Sequence, residues 1–568
     1  MGVRMYGLLL LASLTFLALS GCASAPTHSI PASTPVQTSS AYTVGGTVSG
    51  LSGGPVVLAI NGGNSLTVNA NGSFTFATPI AAGDAWMVTV LTQPAAQSCT
   101  VRNPGGVANA NVSTIQVACA SMATAPIATA SGQWTWAGGS SLANIAGSYG
   151  ERGSPAPGNA PGARTGTVGW TDPSGNLWLF GGTVPVGSEC ATTHALCWTV
   201  SDDFDDLWEF NGSQWAWRGG SIAPDQAPAW GTKGAPAAGN DPGSRSAAAS
   251  WTDPSGNFWL FGGESFNQNN VGTMFNDLWK YAAGQWTWVS GSSTPNAIGV
   301  YGTLGQPAPG NAPGARSSAV TWTDPAGNLW LFGGSGGDSA ACCEEGGLND
   351  LWKFSNGQWA WMSGSSVGDQ QGVYGTLGAS AAANVPGGRQ GAVGWTDASG
   401  NLWLFGGYGF AGGAAGPLND LWEYTGGQWT WKGGSNVVRQ SGVYGVQGVP
   451  APGNIPGARE SAVSWTDPSG NFWLFGGLGY DSAGNSGDLN DLWKYSGGQW
   501  TWVSGSKLAN QNPVYGTLGA PAPGNIPGAR DSAQTWIDAS GNLWLFGGNG
   551  LDSTGTAGQL NDLWVFRP

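Results

Sequence analysis

Leu543-Trp544-Leu545-Phe546-Gly547-Gly548 is a short apolar run closed by two glycines. Relatives of it lie upstream at 177–182, 258–263, 329–334, 402–407 and 472–477. Each reads as a buried strand followed by a turn. Their tryptophans (Trp178, Trp259, Trp330, Trp403, Trp473, Trp544) are spaced by 81, 71, 73, 70 and 71 residues. A period that regular sets the architecture ahead of any local reading.

Around this run the last repeat can be read strand by strand. Pro527-Gly528-Ala529-Arg530 leads into a strand ending at Trp536-Ile537-Asp538, and Ala539-Ser540-Gly541-Asn542 makes a tight turn into Leu543–Phe546. After Gly547-Gly548 and a variable loop, Asn561-Asp562-Leu563-Trp564-Val565-Phe566 is a third strand. Other repeats add a Gly-Gln turn and a fourth strand such as Trp500-Thr501-Trp502. Four short antiparallel strands per repeat make a propeller blade. The sixth repeat stops after its third strand, and an unpaired Trp134-Thr135-Trp136 precedes the first. The N-terminal strand is therefore expected to complete the last blade and leave no open sheet edge.

The Gly-Gly after strand two and the paired aromatics of strands three and four resemble the kelch motif over residues 132–568. The resemblance implies an all-β chain, with a six-bladed kelch-type β-propeller at 131–568. A usual kelch repeat runs to about 50 residues. These are longer, with part of the excess in the connection to the next blade, such as Val514-Tyr515-Gly516-Thr517-Leu518-Gly519 through Arg530. The kelch propellers include galactose oxidase, a copper enzyme that uses histidines. This propeller has only His194, so that chemistry is not carried over.

The N-terminal residues read as an address. Arg4 precedes an apolar Leu8–Leu19 segment too short to span a bilayer. Leu19-Ser20-Gly21-Cys22 resembles a bacterial lipobox, which implies a lipoprotein signal peptide over 1–21 and acylation of Cys22. Ala23 after the cysteine implies the outer membrane. Residues 22–42 are a Ser/Thr/Ala/Pro-rich tether, 43–119 a small β-sandwich rich in alternating runs and Asn-Gly turns, and 120–130 a second linker. The sandwich is expected to act as a spacer.

Seven cysteines leave six beside Cys22, in local pairs Cys99/Cys119, Cys190/Cys197 and Cys342/Cys343. That set fits disulfides in an oxidising compartment. Cys190, His194 and Cys197 could instead hold a metal with one more ligand. The net charge of −14 and the lack of a basic run exclude a nucleic-acid partner.

Thirty of the 33 tryptophans occupy five fixed strand positions per repeat, which is the mark of packing residues. Trp198 and Trp230 lie in propeller loops and are the candidates for stacking on a ligand, with loop cover as the plainer role. The 2–3 loops and 4–1 connections share one face of the propeller, so length and variability collect there. That face is acidic. Asp202, Asp203 and Asp205 could serve a calcium ion, although a solvated acidic loop is the plainer reading. Each repeat carries an arginine before strand one (Arg164, Arg245, Arg316, Arg389, Arg459, Arg530) and an aspartate before strand three (Asp206, Asp277, Asp350, Asp420, Asp491, Asp562). Six-fold repetition makes a structural ring of ion pairs the natural role. The residue after each arginine varies, and Glu460 and Asp531 are the ligand-contacting pair expected at the channel mouth.

No Gly-x-Ser-x-Gly elbow or Cys/His nucleophile pair is visible, so no catalytic residue or resident cofactor is assigned. The expected role is a cell-envelope scaffold that binds protein or glycan through its loop-rich face. The alternatives are a glycan hydrolase using Glu460 and Asp531 as its carboxylate pair, or a purely structural, adhesive surface protein.

Overall fold

The structure, a computed structural model, describes residues 41–568 apart from 53, 95–96, 122–128, 191–196, 267–271 and 341–345. Side chains are not described at 98, 121, 185–190 and 197–201. The signal segment, Cys22, the tether through residue 40, His194, Cys342 and Cys343 therefore lie outside what it describes, while Ala41–Tyr42 at the tether's end form a short strand paired with Ile80–Ala81. The described residues are all-β, with no helix among them. Ala41–Pro568 is one compact unit.

The sequence repeat folds into a propeller-like set of four-stranded antiparallel sheets. Five take their four strands in chain order, with the further strands of the 2–3 connection between the second and third; the first pairs Val168–Thr171, Leu177–Phe180, Leu207–Phe210 and Trp215–Gly219. In the last sheet Trp134–Gly138 pairs with Ala557–Phe566, placing Trp134 opposite Phe566 and Trp136 opposite Trp564. The start of the repeat region is thus joined to its last strand by a main-chain ladder.

Neighbouring sheets are tied together by tryptophan. Trp251 at the end of one first strand donates its indole N–H to Trp330 O in the next sheet at 2.9 Å. Trp322 does the same to Trp403 O, and Trp465 to Trp544 O. Trp536 of the last repeat donates to Trp178 O of the first at 2.8 Å. A large apolar ring with one polar handle suits this position, because the handle is satisfied while the ring fills the gap between sheets.

The paired glycines after strand two have a steric cause. Gly333 and Gly334 have φ of 65° and 96°, and a Cβ on Gly333 would meet Arg389 O and Leu348 O at 2.8 Å each. The extra length of each repeat also has a use. The connection 291–315 runs along the outermost strand of the following sheet, with Gly305 N donating to Trp361 O and Asn311 Nδ2 to Trp359 O. Equivalent straps bond Gly234 to Trp288, Gly378 to Trp431, Gly448 to Trp502 and Gly519 to Trp136. Each strap covers a sheet edge that would otherwise offer unpaired amides to another chain.

Residues 41–121 form two four-stranded sheets around a core that includes Val44, Leu58, Val88, Val101 and Val117. Val44–Ser49 runs parallel to Val112–Ser121. Cys99 and Cys119 face each other across a ladder and form a disulfide. This sandwich packs on the loop side of the repeats. Val90 O accepts from Tyr149 N, Val101 O from Ala146 N, and Gln93 Nε2 donates to Ser148 Oγ. Met87 packs against Val184 and Phe204 of the first repeat.

Candidate functional site: the channel mouth

Below the mouth lies the ring of arginine–aspartate pairs. Arg316 donates from Nη1 and Nη2 to the two oxygens of Asp350 at 2.7 and 2.8 Å. Asp350 Oδ2 also accepts from Tyr301 Oη and Trp352 Nε1, while Arg316 Nε donates to Gly314 O and Nη1 also to Gly333 O. The aspartates are fully buried and the arginines 1% exposed. The other five repeats have the same bidentate pair. Buried and bonded in this way, these side chains are occupied in holding the 4–1 strap to strand three.

The strap aromatic explains Trp230. It stands where the other repeats have Tyr149, Tyr301, Tyr374, Tyr444 and Tyr515, and its Nε1 donates to Asp277 Oδ2 at 3.1 Å. Trp198 lies in strand Cys197–Asp203, opposite Glu189; its side chain is not described. Cys190 and Cys197 are register partners in the same hairpin.

The channel is girdled by main chain. The second residue after each ring arginine adopts a left-handed conformation: Gly166, Ala247, Ser318, Gly391, Ser461 and Ser532 have φ between 51° and 65°. Their peptide groups bond head to tail. Ala247 N donates to Gly166 O, Ser318 to Ala247, Gly391 to Ser318, Ser461 to Gly391, Ser532 to Ser461, and Gly166 to Ser532, at 2.7–3.3 Å. The loop of six bonds returns to its start.

The residue after each arginine stands next to this girdle, as Ser317 and Gln390 do in lining a cavity of about 820 Å³. Glu264, Met274, Tyr408 and Phe410 line it too. These four were not singled out from the sequence, yet two of them have a signal there. Glu264 and Tyr408 directly follow the Gly-Gly pair, where the other repeats have Thr183, Ser335, Leu478 and Asn549. Each pairs with a residue after an arginine, Ser246 with Glu264 and Gln390 with Tyr408. Variation at a fixed place in an invariant frame marks the lining.

Glu460 and Asp531 are close enough to interact, and a third carboxyl joins them. Burial, and then the Asp531 charge, push Glu460 up to about 7. Burial, the same charge and a hydrogen bond to Asp531 push Asp488 up to about 7. Asn549 Nδ2 donates to Asp531 Oδ2 at 3.3 Å. Replacing Asp531 with asparagine is expected to lower the pKa values of both Glu460 and Asp488. Neither should return fully to the ordinary range, since burial is the larger cause. A carbon-detected titration of the side-chain carboxyls reads this directly; unmoved values would show that the two groups do not feel Asp531.

The acidic loop of the first repeat is a correction. Asp202, Asp203 and Asp205 are 3%, 0% and 5% exposed, not solvated. The sandwich covers the adjoining Phe204 through Met87. Burial pushes Asp202 and Asp203 up to about 7 and Asp205 to about 8, with neighbouring carboxylates adding to it. Asp203 Oδ2 accepts from Phe266 N, and Asp205 accepts from Ser221 N. Among the described residues no three His, Cys, Asp or Glu side chains converge in a metal-holding group, so the calcium expectation finds no such arrangement at these aspartates.

No family model and no curated protein matches the chain. Solved structures similar to it include YjhT, at 13% identity and a TM-score of 0.39, covering 71% of this chain and 95% of that one. A copper-bound fungal alcohol oxidase of the AA5 family aligns at 11% identity and a TM-score of 0.36, covering 72% of this chain and 74% of the other. Both are distant likenesses in fold.

Proposed function

We propose that this chain is a six-bladed kelch-type propeller, exported and lipid-anchored through Cys22, that binds a glycan at its channel mouth. The cavity there carries the reading. Its volume of about 820 Å³ lies in the range of small-ligand sites. Its wall sets the aromatic rings of Tyr408 and Phe410 beside the hydrogen-bonding groups of Glu264, Ser317 and Gln390. Tyr408 is 37% exposed, so its face is open to a ligand. A sugar ring, apolar on its faces and polar at its edge, suits that combination. The straps over the blade edges favour a small ligand at the mouth over a partner that adds a strand to a blade.

The test is a glycan-array screen of the purified full chain. The expected result is a discrete set of bound sugars, lost in Tyr408→Ala and weakened in Gln390→Ala with unchanged thermal unfolding. A blank array, or binding indifferent to both changes, overturns the reading.

A second reading rests on Glu460. A buried carboxyl that holds its proton near neutral pH beside a second carboxyl is the arrangement general acid–base chemistry uses. As a glycan hydrolase the chain would release product from the bound sugar, and Glu460→Gln and Asp531→Asn would each stop turnover. Unchanged sugars after prolonged incubation would remove it.

A further inference from the structure

A second cavity of about 200 Å³ opens in the second repeat. It forms at the one strap where the repeat pattern breaks. Five repeats bury a tyrosine there, each at most 8% exposed, whereas Trp230 is only half-buried and lines the cavity. Its indole nitrogen is held by Asp277, so the ring is set in place before any ligand arrives. Phe266 and Phe275 supply further aromatic wall, and Asp225, Gln226 and Ser244 supply polar groups. Phe266 also lines the channel-mouth cavity, so one side chain separates the two.

We propose that the Trp230 cavity is a second subsite for an extended oligosaccharide, one end of which sits at the channel mouth. The proposal rests on the glycan reading above and adds length and charge to it. A single hexose can occupy the mouth; a chain of several units can pass Phe266 and lay another ring against Trp230. Among the described residues no lysine or arginine lines either cavity, while Asp225 lines one and Glu264 the other. Uronic-acid chains would meet like charge, so neutral or amino-bearing sugars are the favoured class.

The experiment is calorimetry on the purified full chain with glucose and cellotetraose, glucosamine and a chitosan tetramer, and galacturonate and its tetramer. The key variant is Trp230→Tyr. It restores the residue of the other five repeats and keeps a donor for Asp277, so folding should be retained. In the natural chain, cellotetraose or the chitosan tetramer should bind about tenfold tighter than its monomer, the size of one aromatic contact. In Trp230→Tyr and in Gln226→Ala, whose side chains line only the second cavity, the tetramer should fall towards monomer affinity while the monomer is unchanged. Equal binding of monomer and tetramer, or a length effect that survives both variants, overturns the second subsite and leaves the mouth reading standing. Preference for the galacturonate tetramer overturns the charge class. Failure of every sugar to bind overturns the mouth reading and the subsite together.

Discussion

Replacing Arg316 with alanine is expected to destabilise the folded chain by about 3–5 kcal/mol. The loss comes from what is left behind. Asp350 is fully buried and would lose its bidentate cation, keeping the Tyr301 and Trp352 donors. The carbonyls of Gly333 and Gly314 would also lose their donor. Tyr301→Phe removes one of several hydrogen bonds and should cost about 1 kcal/mol. A double change of Arg316 to methionine and Asp350 to leucine removes both charges and should cost much less than Arg316→Ala. Urea unfolding of the three variants measures this. Equal losses for the single and double changes would mean that the isolated charge is not the cause.

The second large effect is a gain. Five repeats have asparagine before the ring aspartate, and the first has Asp205. In the third repeat Asn349 Oδ1 accepts from Ser365 N and Nδ2 donates to Pro386 O. Asp205 keeps the first bond, to Ser221 N, but an ionised carboxylate has nothing to donate. Burial first, then Asp241, push it up to about 8. An unfolded aspartate titrates near 3.9. The folded state therefore holds a proton that the unfolded state has released between about pH 4 and pH 8. Stability from this site falls as pH rises through that window and is level above it. Asp205→Asn should thus stabilise little at pH 4 and by something on the order of 3–5 kcal/mol at pH 8. Thermal unfolding at the two pH values tests it, and a gain independent of pH would refute the titration account.

Glu264, Tyr408 and Asp488 show why the mouth was only partly legible in the sequence. The variable residue after each arginine is visible because the Pro-Gly-x-Arg frame is invariant around it. Glu264 and Tyr408 sit in an equally fixed place after Gly-Gly, but they read as the start of a loop. The structure shows a hairpin there, Tyr408–Ala411 with Ala414–Pro417 in the fourth repeat, and a hairpin gives its residues a register. Asp488 is brought to Asp531 of the next repeat by that same geometry. Asp202, Asp203 and Asp205 were misread for a related reason. A run of carboxylates looks solvated in a sequence; here the sandwich and the second repeat close over it.

The amino-acid sequence by itself determined the repeat, the strands within it, the packing role of thirty tryptophans, the pairing of the Trp134 strand with the last repeat and the positions of the ring arginines and aspartates. These are local patterns repeated six times, and repetition makes a pattern visible. Only the tertiary structure decided which variable residues share a cavity, that the straps cover the sheet edges, and that the sandwich rests on the first repeat. It alone showed the girdle of six peptide groups. Gly166, Ala247, Ser318, Gly391, Ser461 and Ser532 are all small, but no one side-chain group is common to them. What joins them is main-chain hydrogen bonding between distant parts of the chain, for which the sequence carries no letter.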